Sequence, residues 1–423
     1  MTTDPQLIDD LEWRGLLALT TDRDALRDAL SGGSVRFYVG FDPTAPSLHM
    51  GNLVQILTAR RLQQAGHTPY ALVGGATGMI GDPKDSGERT LNSLDTVKDW
   101  VARVRRQIEP FLSFEGPNAA TMVDNYDWTA SLSTIDFLRD IGKHFPVNRM
   151  LARDTVKRRL ESGISYTEFS YVLLQSMDYL NLYRDHGVTL QHGGSDQWGN
   201  ITGGVELIRR VTGVHVHAFG TPLITKPDGT KYGKTEAGAL WLDPEMMSPY
   251  AFYQFWLNVD DTQVVDMLKV FTFLTRDEIE ELGRQTEEKP FLRAGQRALA
   301  EHVTTLVHGA EEAGHVQAAA AALFGGGDLH ALSTATLGAA LREAGSATVA
   351  GDIPSYVDLM VETGLAKGRG EARRTIAEGG AYLNNQRVED PELVPSPEDL
   401  VGGSWLVLRR GKKTFAGVEV TPI

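Results

Sequence analysis

The sequence predicts an α/β protein: a Rossmann-like parallel sheet catalytic domain, then an all-helical domain, then a small α+β module. Short β-like runs alternate with helical spacings over roughly the first 240 residues, and glycine-rich turns follow the runs. Beyond Ser248 only helical periodicity continues, as far as residue 323. Helical and hairpin patterns occur together after residue 353.

In the first domain, glycine or polar turn residues follow each strand-like run. The strand-like runs are 35–41, 70–73, 121–123 and 188–190. Helical spacing covers 53–62, and a further helix is predicted from Trp198. Because ligands of parallel α/β sheets bind at the carboxyl ends of the strands, we expect the functional site on these turns.

The later part of the chain contains helix starts and hairpins. Ser248 followed by Pro249 is a capped helix start, and Thr275 with Glu278 forms a capping-box pattern. In the last unit the predicted helices are 356–362 and 371–378, and the predicted strands are 381–383, 386–388, 405–409 and 414–420. The predicted domains are the sheet domain at 1–245, the helical domain at 246–327, a linker of small residues at 328–352 and the module at 353–423.

Composition restricts the classes of function. The chain has 41 Lys and Arg and 55 Asp and Glu, which gives a net charge of −14. Because phosphate contacts need cations, an RNA partner would have to bind at local basic patches. The absence of cysteine excludes disulfides, thiolate metal sites and a cysteine nucleophile. No apolar run approaches the ~20 residues that span a bilayer, and we expect no membrane partner.

Residues 38–52 form the most informative segment, a strand that turns into the start of a helix. A helix N-terminus presents unpaired N–H groups and attracts phosphate. His49 and Asn52 are three residues apart and share one face of the first turn. Thr44 adds a hydroxyl, and Gly51 allows a flat base or a ribose to approach the backbone.

A second segment, residues 231–235, carries two lysines beside a hydroxyl. Lys231 and Lys234 are three residues apart, Thr235 follows directly, and the string comes shortly after the turn at 227–229. Two such cations and a hydroxyl are suited to clamping a polyphosphate. Alone, a Lys/Gly string is usually a solvated loop, so its weight comes from the first segment.

Together the two segments resemble the signatures of the class I aminoacyl-tRNA synthetases. Residues 38–52 are similar to the HIGH signature of bacterial tyrosyl enzymes, Y-x-G-F-D-P-T-A-x-S-L-H-x-G-H, with Asn52 in place of the second histidine. Residues 231–235 resemble the tyrosyl variant, K-F-G-K-T, of the KMSKS loop. The resemblance implies that ATP, carrying Mg²⁺, activates L-tyrosine to tyrosyl-adenylate, and that tyrosine is then transferred to the 3′ end of tRNA(Tyr). It implies no tightly bound cofactor and no dedicated metal site.

The resemblance also implies roles for single residues. In activation the tyrosine carboxylate attacks the α-phosphorus of ATP, so the protein supplies positioning and charge stabilisation. The implied catalytic residues are Thr44, His49, Lys231, Lys234, Thr235 and Arg89. The implied ATP and ribose residues are Gly40, Asp42, His49, Gly51, Asn52, Gln191, Gly194, Asp196 and Lys234.

A polar stripe within residues 169–180 indicates the amino-acid site. Tyr171, Gln175 and Asp178 lie on one helical face. The implied tyrosine-binding residues are Tyr38, Asp82, Tyr171, Gln175, Asp178 and Gln197, with Tyr38 and Asp178 on the phenolic hydroxyl. A site that bonds a buried hydroxyl rejects the analogue without it; tyrosyl enzymes are themselves the standard example, at roughly 10⁵ against phenylalanine.

Two basic patches, 149–159 and 367–374, offset the acidic total. The last unit resembles a small RNA-binding module shared with a ribosomal small-subunit protein, which implies that Arg369, Arg373 and Arg374 bind RNA. The resemblance further implies an anticodon-region role for the helical domain, a homodimer and a cytoplasmic location. Two alternatives stay open: a non-catalytic RNA-binding paralogue, supported only by Asn52, and a related class I synthetase for tryptophan.

Overall fold

A computed structural model of the chain describes residues 3–84, 87, 90–225, 239–323, 327–411 and 414–421. The chain divides into two units, each considered by itself. The first comprises Met1–Met246 and Thr262–Gly283, and the second comprises Met247–Asp261 and Arg284–Ile423.

The strands number eleven among the described residues. In chain order they are β1 Leu19–Thr20, β2 Arg36–Phe41, β3 Thr68–Val73, β4 Thr121–Asp124, β5 Leu190–Gly194, β6 His217–Thr221, β7 Ser346–Ala350, β8 Ala381–Leu383, β9 Gln386–Arg387, β10 Trp405–Arg410 and β11 Thr414–Thr421.

The α-helices of the described residues number nineteen. In chain order they are α1 Leu7–Trp13, α2 Arg23–Ser31, α3 Met50–Gln64, α4 Thr77–Ile80, α5 Leu94–Ile108, α6 Tyr126–Thr129, α7 Thr134–Asp136, α8 Val147–Leu151, α9 Asp154–Arg159, α10 Tyr166–His186, α11 Trp198–Thr212, α12 Pro249–Leu257, α13 Val264–Phe271, α14 Arg276–Glu288, α15 Ala294–His308, α16 Ala310–Leu323, α17 Thr334–Ala344, α18 Tyr356–Glu362 and α19 Arg369–Ala377.

The first unit is built on a six-stranded sheet in the order β1-β6-β5-β2-β3-β4. All neighbouring strands are parallel except the edge pair β1 and β6. The register aligns Tyr38 with Tyr70 on one side and with Gln191 on the other. The parallel sheet confirms the predicted fold class and brings the carboxyl ends of the central strands together.

Helices α10 and α11 pack closely beside this sheet. A Cβ added to Gly204 would lie 3.1 Å from the Tyr179 side chain, so glycine permits the approach. Helix α10 ends at Gly187, which has a φ of +64°, and the Val188 N–H donates back to the Leu182 carbonyl. This cap uses the backbone predicted to start the strand at 188, and β5 therefore begins only at Leu190.

In the second unit, helices α12, α15, α16 and α17 accompany a five-stranded sheet, β7-β11-β10-β8-β9. The predicted turn at Asn384 and Asn385 is present, with φ values of 49° and 67°. The buried core here includes Tyr356, Leu406 and Val418.

The stretch 328–352 differs from the predicted linker, because it contains α17 and β7. Strand β7 pairs in parallel with β11, and α17 packs on the same strand. A Cβ on Gly417 would lie 2.6 Å from the Leu341 Cβ. Small residues here serve close packing of a helix on a strand, not flexibility.

Candidate active site

A cavity of about 670 Å³ opens at the carboxyl ends of β2 and β5. Fifteen of the residues singled out from the sequence line it: Tyr38, Gly40, Asp42, Thr44, His49, Gly51, Asn52, Asp82, Tyr171, Gln175, Asp178, Gln191, Gly194, Asp196 and Gln197. Four others, Arg89, Lys231, Lys234 and Thr235, lie outside the described residues. The three arginines of the expected RNA site lie on α19 of the second unit.

Asp42, directly after β2, is a hydrogen-bond centre of the cavity. Its Oδ1 accepts from the Thr77 hydroxyl at 2.6 Å, and its Oδ2 accepts from the Tyr171 hydroxyl. Gly74 makes room for this pair, since a Cβ there would lie 2.2 Å from both Asp42 Oδ1 and Thr77 Oγ1. Asp42 thus fixes Tyr171 and couples β2 to helix α10.

Asp178 is buried on α10, and its two carboxylate oxygens accept from different residues. Asn125 Nδ2 donates to Oδ2 at 3.0 Å, and Trp128 Nε1 donates to Oδ1 at 2.9 Å. Burial raises the pKa of Asp178 to about 8, although both hydrogen bonds act to lower it. Two N–H donors hold the carboxyl as an acceptor facing the cavity.

Asn125 and Trp128 were not identified from the sequence. Asn125 also donates to the Thr77 hydroxyl at 2.9 Å, so it joins Asp42 and Asp178 in one network. One feature of the sequence could have indicated Asn125 as a site residue. It directly follows β4, and a parallel sheet has its ligand-binding loops at such strand ends.

The Tyr38 hydroxyl is buried and has no hydrogen-bond partner among the described residues. Burial, with the nearby Asp178 charge, raises the pKa of this phenol well above its ordinary value. Because buried polar groups are almost always paired, a hydroxyl left open in a cavity indicates a ligand group.

Asp82 belongs to a second network in the cavity. Gln197 Nε2 donates to its Oδ2 at 2.9 Å, and Asn200 Nδ2 donates to its Oδ1 at 3.0 Å. Arg153 in turn donates to the Asn200 Oδ1. Asp82 is therefore a carboxylate held in place by two amides.

His49 is the N-cap of α3, and Asn52 completes a capping box with it. His49 Nδ1 accepts from the Gly51 N–H at 3.1 Å, and Asn52 Oδ1 accepts from the His49 N–H at 3.1 Å. Burial lowers the pKa of His49, which favours the neutral ring. The helix start that faces the cavity is thus held by its own side chains.

Residues 239–242, which follow the lysine segment 231–235 in the sequence, are hydrogen-bonded to the start of α3. The Met50 N–H donates to the Leu240 carbonyl at 3.0 Å, and the Leu242 N–H donates to the Leu48 carbonyl at 2.9 Å. Ile224 and Ala239, close to either end of the segment 226–238, both line the cavity.

The predicted basic patch at 149–159 contains two arginines that point inward. Arg159 and Glu168 form an ion pair 3.0 Å apart in which both side chains are buried. Arg159 also donates to the carbonyls of Lys84 and Gly87. Arg153 bonds Asn200, as described above. Arg159 is buried and its charge is paired with Glu168, and Arg153 is half-buried and donates to Asn200 of the site. Neither side chain is a fully exposed part of a basic surface.

Within the part of the chain that the structure describes, no helix has the length and apolar character needed to cross a membrane. The same residues contain no group of three or more His, Asp or Glu side chains arranged to hold a metal ion.

Comparisons with known proteins relate both units to one family. A family model described as tRNA synthetases class I (W and Y) matches residues 30–325, and one described as the tyrosine–tRNA ligase SYY-like C-terminal domain matches residues 338–418. A tyrosine–tRNA ligase of Streptomyces griseus is 63% identical over 420 residues, which cover 99% of each chain. One from Kineococcus radiotolerans is 61% identical and covers 97% of this chain and 98% of the relative.

Solved structures match a large part of the chain. A C-terminally truncated mitochondrial tyrosyl-tRNA synthetase of Aspergillus nidulans is 31% identical, with a TM-score of 0.66 over 73% of this chain and 92% of that one. A tryptophanyl-tRNA synthetase of Encephalitozoon cuniculi, 13% identical with a TM-score of 0.56, shares the fold.

Proposed function

Because the chain belongs to the tyrosine–tRNA ligases, a family of class I aminoacyl-tRNA synthetases, we propose specific roles for the residues of its cavity. The enzyme activates tyrosine with ATP and joins it to tRNA(Tyr). One observation carries the assignment of roles. The buried Tyr38 hydroxyl, which has no hydrogen-bond partner among the described residues, and the buried carboxyl of Asp178 line the same cavity.

The phenol of the substrate lies between Tyr38 and Asp178. Its hydroxyl donates to the Asp178 carboxyl and accepts from the Tyr38 hydroxyl, which satisfies the Tyr38 donor. Phenylalanine leaves the Tyr38 hydroxyl unpaired in a buried site and offers no donor to the Asp178 carboxyl, and this penalty excludes it.

The α-amino group of tyrosine binds at the other end of the polar stripe. The Tyr171 hydroxyl, fixed by Asp42, and the Gln175 side chain receive it. Asp82, held by Gln197 and Asn200, supplies the negative charge that an ammonium group requires.

ATP binds along the start of α3. His49 and Thr44 contact the phosphates, and Gly51 allows the base or ribose close to the backbone. Asp196 accepts from the ribose hydroxyls. The remaining nucleotide residues are Gly40, Asp42, Asn52, Gln191 and Gly194, which line the same cavity.

Lys231, Lys234 and Thr235 clamp the pyrophosphate end, and Arg89 assists them. The support is the sequence resemblance together with Ile224 and Ala239, which line the cavity close to either end of the lysine segment. Charge develops on the phosphates during attack, so these cations act most strongly in the transition state.

A Mg²⁺ ion carried by ATP would be held mainly by the nucleotide and would neutralise phosphate charge, the usual arrangement in phosphate-transfer sites. The residues proposed to grip the phosphates are hydroxyl, imidazole and amine donors, a set that suits a metal carried by the nucleotide.

Asn52 no longer favours a paralogue without activity. Its side-chain oxygen caps the His49 N–H, a role within the helix start. The tryptophan alternative has no supporting observation, since a tryptophan site needs no paired acceptor and donor for a phenol.

The enzyme acts as a homodimer in the cytoplasm, where tRNA is charged. Support for the dimer comes from exposed apolar side chains that cluster in one stretch of the first unit. Six of them lie between residues 135 and 166: Ile135, Leu138, Val147, Leu151, Leu160 and Tyr166. Clusters of this kind mark interaction surfaces. The second unit supplies RNA contacts through Arg369, Arg373 and Arg374.

Tyrosine-dependent ATP–pyrophosphate exchange, assayed with each of the twenty amino acids, tests this function. We expect exchange with tyrosine far above all others, and charging of tRNA(Tyr) by the full chain. No exchange with tyrosine, or faster exchange with another amino acid, would contradict the proposal.

A further inference from the structure

Gln107, near the end of α5, does not line the cavity and has no role in the mechanism above, yet its amide contacts two segments of the site. Its Oε1 accepts from the N–H of Leu48, the residue before His49, at 2.8 Å. Its Nε2 donates at 3.3 Å to the Oδ2 of Asp243, the residue after 239–242. One side chain therefore joins the start of α3 to the chain that follows the lysine segment.

The orientation of this amide follows from the chemistry of its partners. A backbone N–H only donates and a carboxylate only accepts, so the oxygen of Gln107 must face Leu48 and its nitrogen must face Asp243. Asp243 is itself held, because its Oδ1 accepts from the Glu245 N–H at 2.9 Å. Neither a carboxylate nor an apolar side chain at position 107 would satisfy both partners.

Ser47 joins the same two segments beside Gln107. Its buried hydroxyl accepts from the Asp243 N–H at 3.1 Å and lies 3.3 Å from Gln107 Oε1. The backbone bonds described above flank a single antiparallel bridge between His49 and Trp241, outside the six-stranded sheet. Because so short a two-stranded pairing is marginal alone, the side chains of Gln107 and Ser47 extend it and fix its register.

The register of these two segments bears on the chemistry because the proposed phosphate donors come from both of them. His49 belongs to the first segment, and Lys231 and Lys234 precede the second in the sequence. Activation relies on positioning and charge stabilisation, so its rate depends on how accurately these donors meet the developing charge. A misplacement of about 1 Å, caused by a change far from the reacting atoms, can cost roughly 10²-fold.

Building on the proposed function, we propose that Gln107 is a positioning residue for tyrosine activation. Its amide holds His49 in register with the chain that follows the lysine segment, so that the donors on the two sides of the phosphates act together. Gln107 does not line the cavity and touches neither substrate. Its loss therefore slows the activation step and leaves the tyrosine end of the site intact.

The experiment measures kcat and the KM for tyrosine in pyrophosphate exchange, with ATP saturating. Gln107→Leu removes both amide bonds at similar size. Gln107→Glu keeps an acceptor for the Leu48 N–H but places a second carboxylate against Asp243. Combining Gln107→Glu with Asp243→Asn exchanges donor and acceptor, since the asparagine nitrogen donates to the new carboxylate, and this pair restores the bridge.

Gln63→Leu is the matched control. Gln63 lies at the other end of α3 and does not line the cavity. Its amide also bridges backbone groups: Nε2 donates to the carbonyls of Ser113 at 2.7 Å and Asn118 at 3.1 Å, and Oε1 accepts from the Ser113 N–H at 2.9 Å. It thus reports the cost of losing a bridging glutamine away from His49.

We expect Gln107→Leu and Gln107→Glu each to lower kcat by roughly 10- to 100-fold, with the KM for tyrosine close to that of the wild type. The pair with Asp243→Asn should recover most of the kcat. Gln63→Leu should lower the free energy of unfolding in urea and leave the kcat of the folded enzyme unchanged. In a His49→Ala background, Gln107→Leu should lower kcat much less, because the donor that it positions is already absent.

An unchanged kcat in Gln107→Leu would overturn the proposal, and so would a raised KM for tyrosine with kcat intact. Equal fractional losses with and without His49 would also overturn it, because they would show that Gln107 supports the fold and not this donor. If Gln107→Leu does not fold, Gln107→Glu decides: recovery with Asp243→Asn supports the bridge, and no recovery contradicts it. Failure of the proposed function is distinguishable, because the wild type itself would then show no tyrosine-dependent exchange.

Discussion

The indole nitrogen of Trp128 lies 2.9 Å from the Oδ1 oxygen of Asp178 and donates to it. With Asn125 on the other oxygen, Trp128 keeps the buried carboxyl oriented as an acceptor. Burial alone disfavours the ionised form, which is why the pKa of Asp178 is raised to about 8. The residue proposed to recognise the tyrosine hydroxyl thus depends on a donor fifty residues away in the sequence.

Trp128→Phe should therefore reduce tyrosine activation. The substitution keeps an aromatic ring and removes the N–H, and a buried oxygen left without its hydrogen-bond partner costs about 1–3 kcal/mol. We expect kcat/KM for tyrosine to fall by roughly 10- to 100-fold, with little change in the KM for ATP. Pyrophosphate exchange measures both. Trp13→Phe, at a tryptophan that does not line this cavity, is the control, and equal losses in the two variants would contradict the role.

The stability of the first unit should depend on the titration of His67. Burial lowers the pKa of His67 to about 4, below its ordinary value of 6.5. The folded state keeps His67 neutral while the unfolded state binds a proton, so stability is fully present above pH 6.5 and is lost as the pH falls towards 4. The loss is about 1.4 kcal/mol per pH unit within that window.

His67→Asn keeps an acceptor for the Val35 N–H, which bonds His67 Nδ1, and removes the titration. Urea denaturation at pH 7, 6 and 5 should show the wild type losing free energy of unfolding relative to His67→Asn at each step. Parallel pH dependences in the two proteins would show that His67 does not titrate as its burial requires.

The exposed apolar stretch between residues 135 and 166 should hold two chains together. Val147 is 60% exposed, and Val147→Glu places a charge on this surface. Analytical ultracentrifugation should give twice the chain mass of 46.3 kDa for the wild type and a shift towards one chain for the variant. Val394, 57% exposed in the second unit, provides the matched control Val394→Glu. A dimer that survives Val147→Glu unchanged, or a monomeric wild type, would contradict the proposal.

Arg374 should contribute to tRNA binding more than its neighbours on α19. Arg369 pairs with Asp358 and Arg373 with Glu392, whereas Arg374 is exposed and makes no ion pair with the described residues. We expect Arg374→Ala to weaken tRNA binding and to reduce the slope of log K against log salt by about 1. Pyrophosphate exchange, which needs no tRNA, should be unchanged. An unaltered salt slope would remove Arg374 from the interface.

The sequence could predict the sheet and most of the cavity for a physical reason. Buried parallel strands are short apolar runs that end in glycine or polar turns, and such turns meet at one edge of the sheet. Asp42, directly after β2, follows from that rule, whereas Tyr38 and Gln191 lie within β2 and β5 and were expected only from the family resemblance. The polar stripe of Tyr171 and Asp178 follows from helical spacing.

What the sequence did not reveal depends on long-range contacts. Asn125 and Trp128 reach Asp178 across fifty or more residues, and no short spacing encodes that approach. Arg159 was predicted as part of a basic patch, but its side chain is buried in an ion pair with Glu168. Residues 328–352 were predicted as a linker because they are rich in small residues. Small residues occur both in flexible linkers and in helices that pack closely on a strand, as α17 does.

The discrimination between tyrosine and phenylalanine tests the central claim most directly. The measurement is the ratio of kcat/KM for the two amino acids in pyrophosphate exchange, for the wild type and for Tyr38→Phe. The proposed roles predict a strong wild-type preference for tyrosine that falls by at least about 10-fold in Tyr38→Phe, because one of two partners of the substrate hydroxyl is removed. A wild type that activates phenylalanine comparably, or a Tyr38→Phe variant with undiminished discrimination, would contradict the assignment of Tyr38 and Asp178.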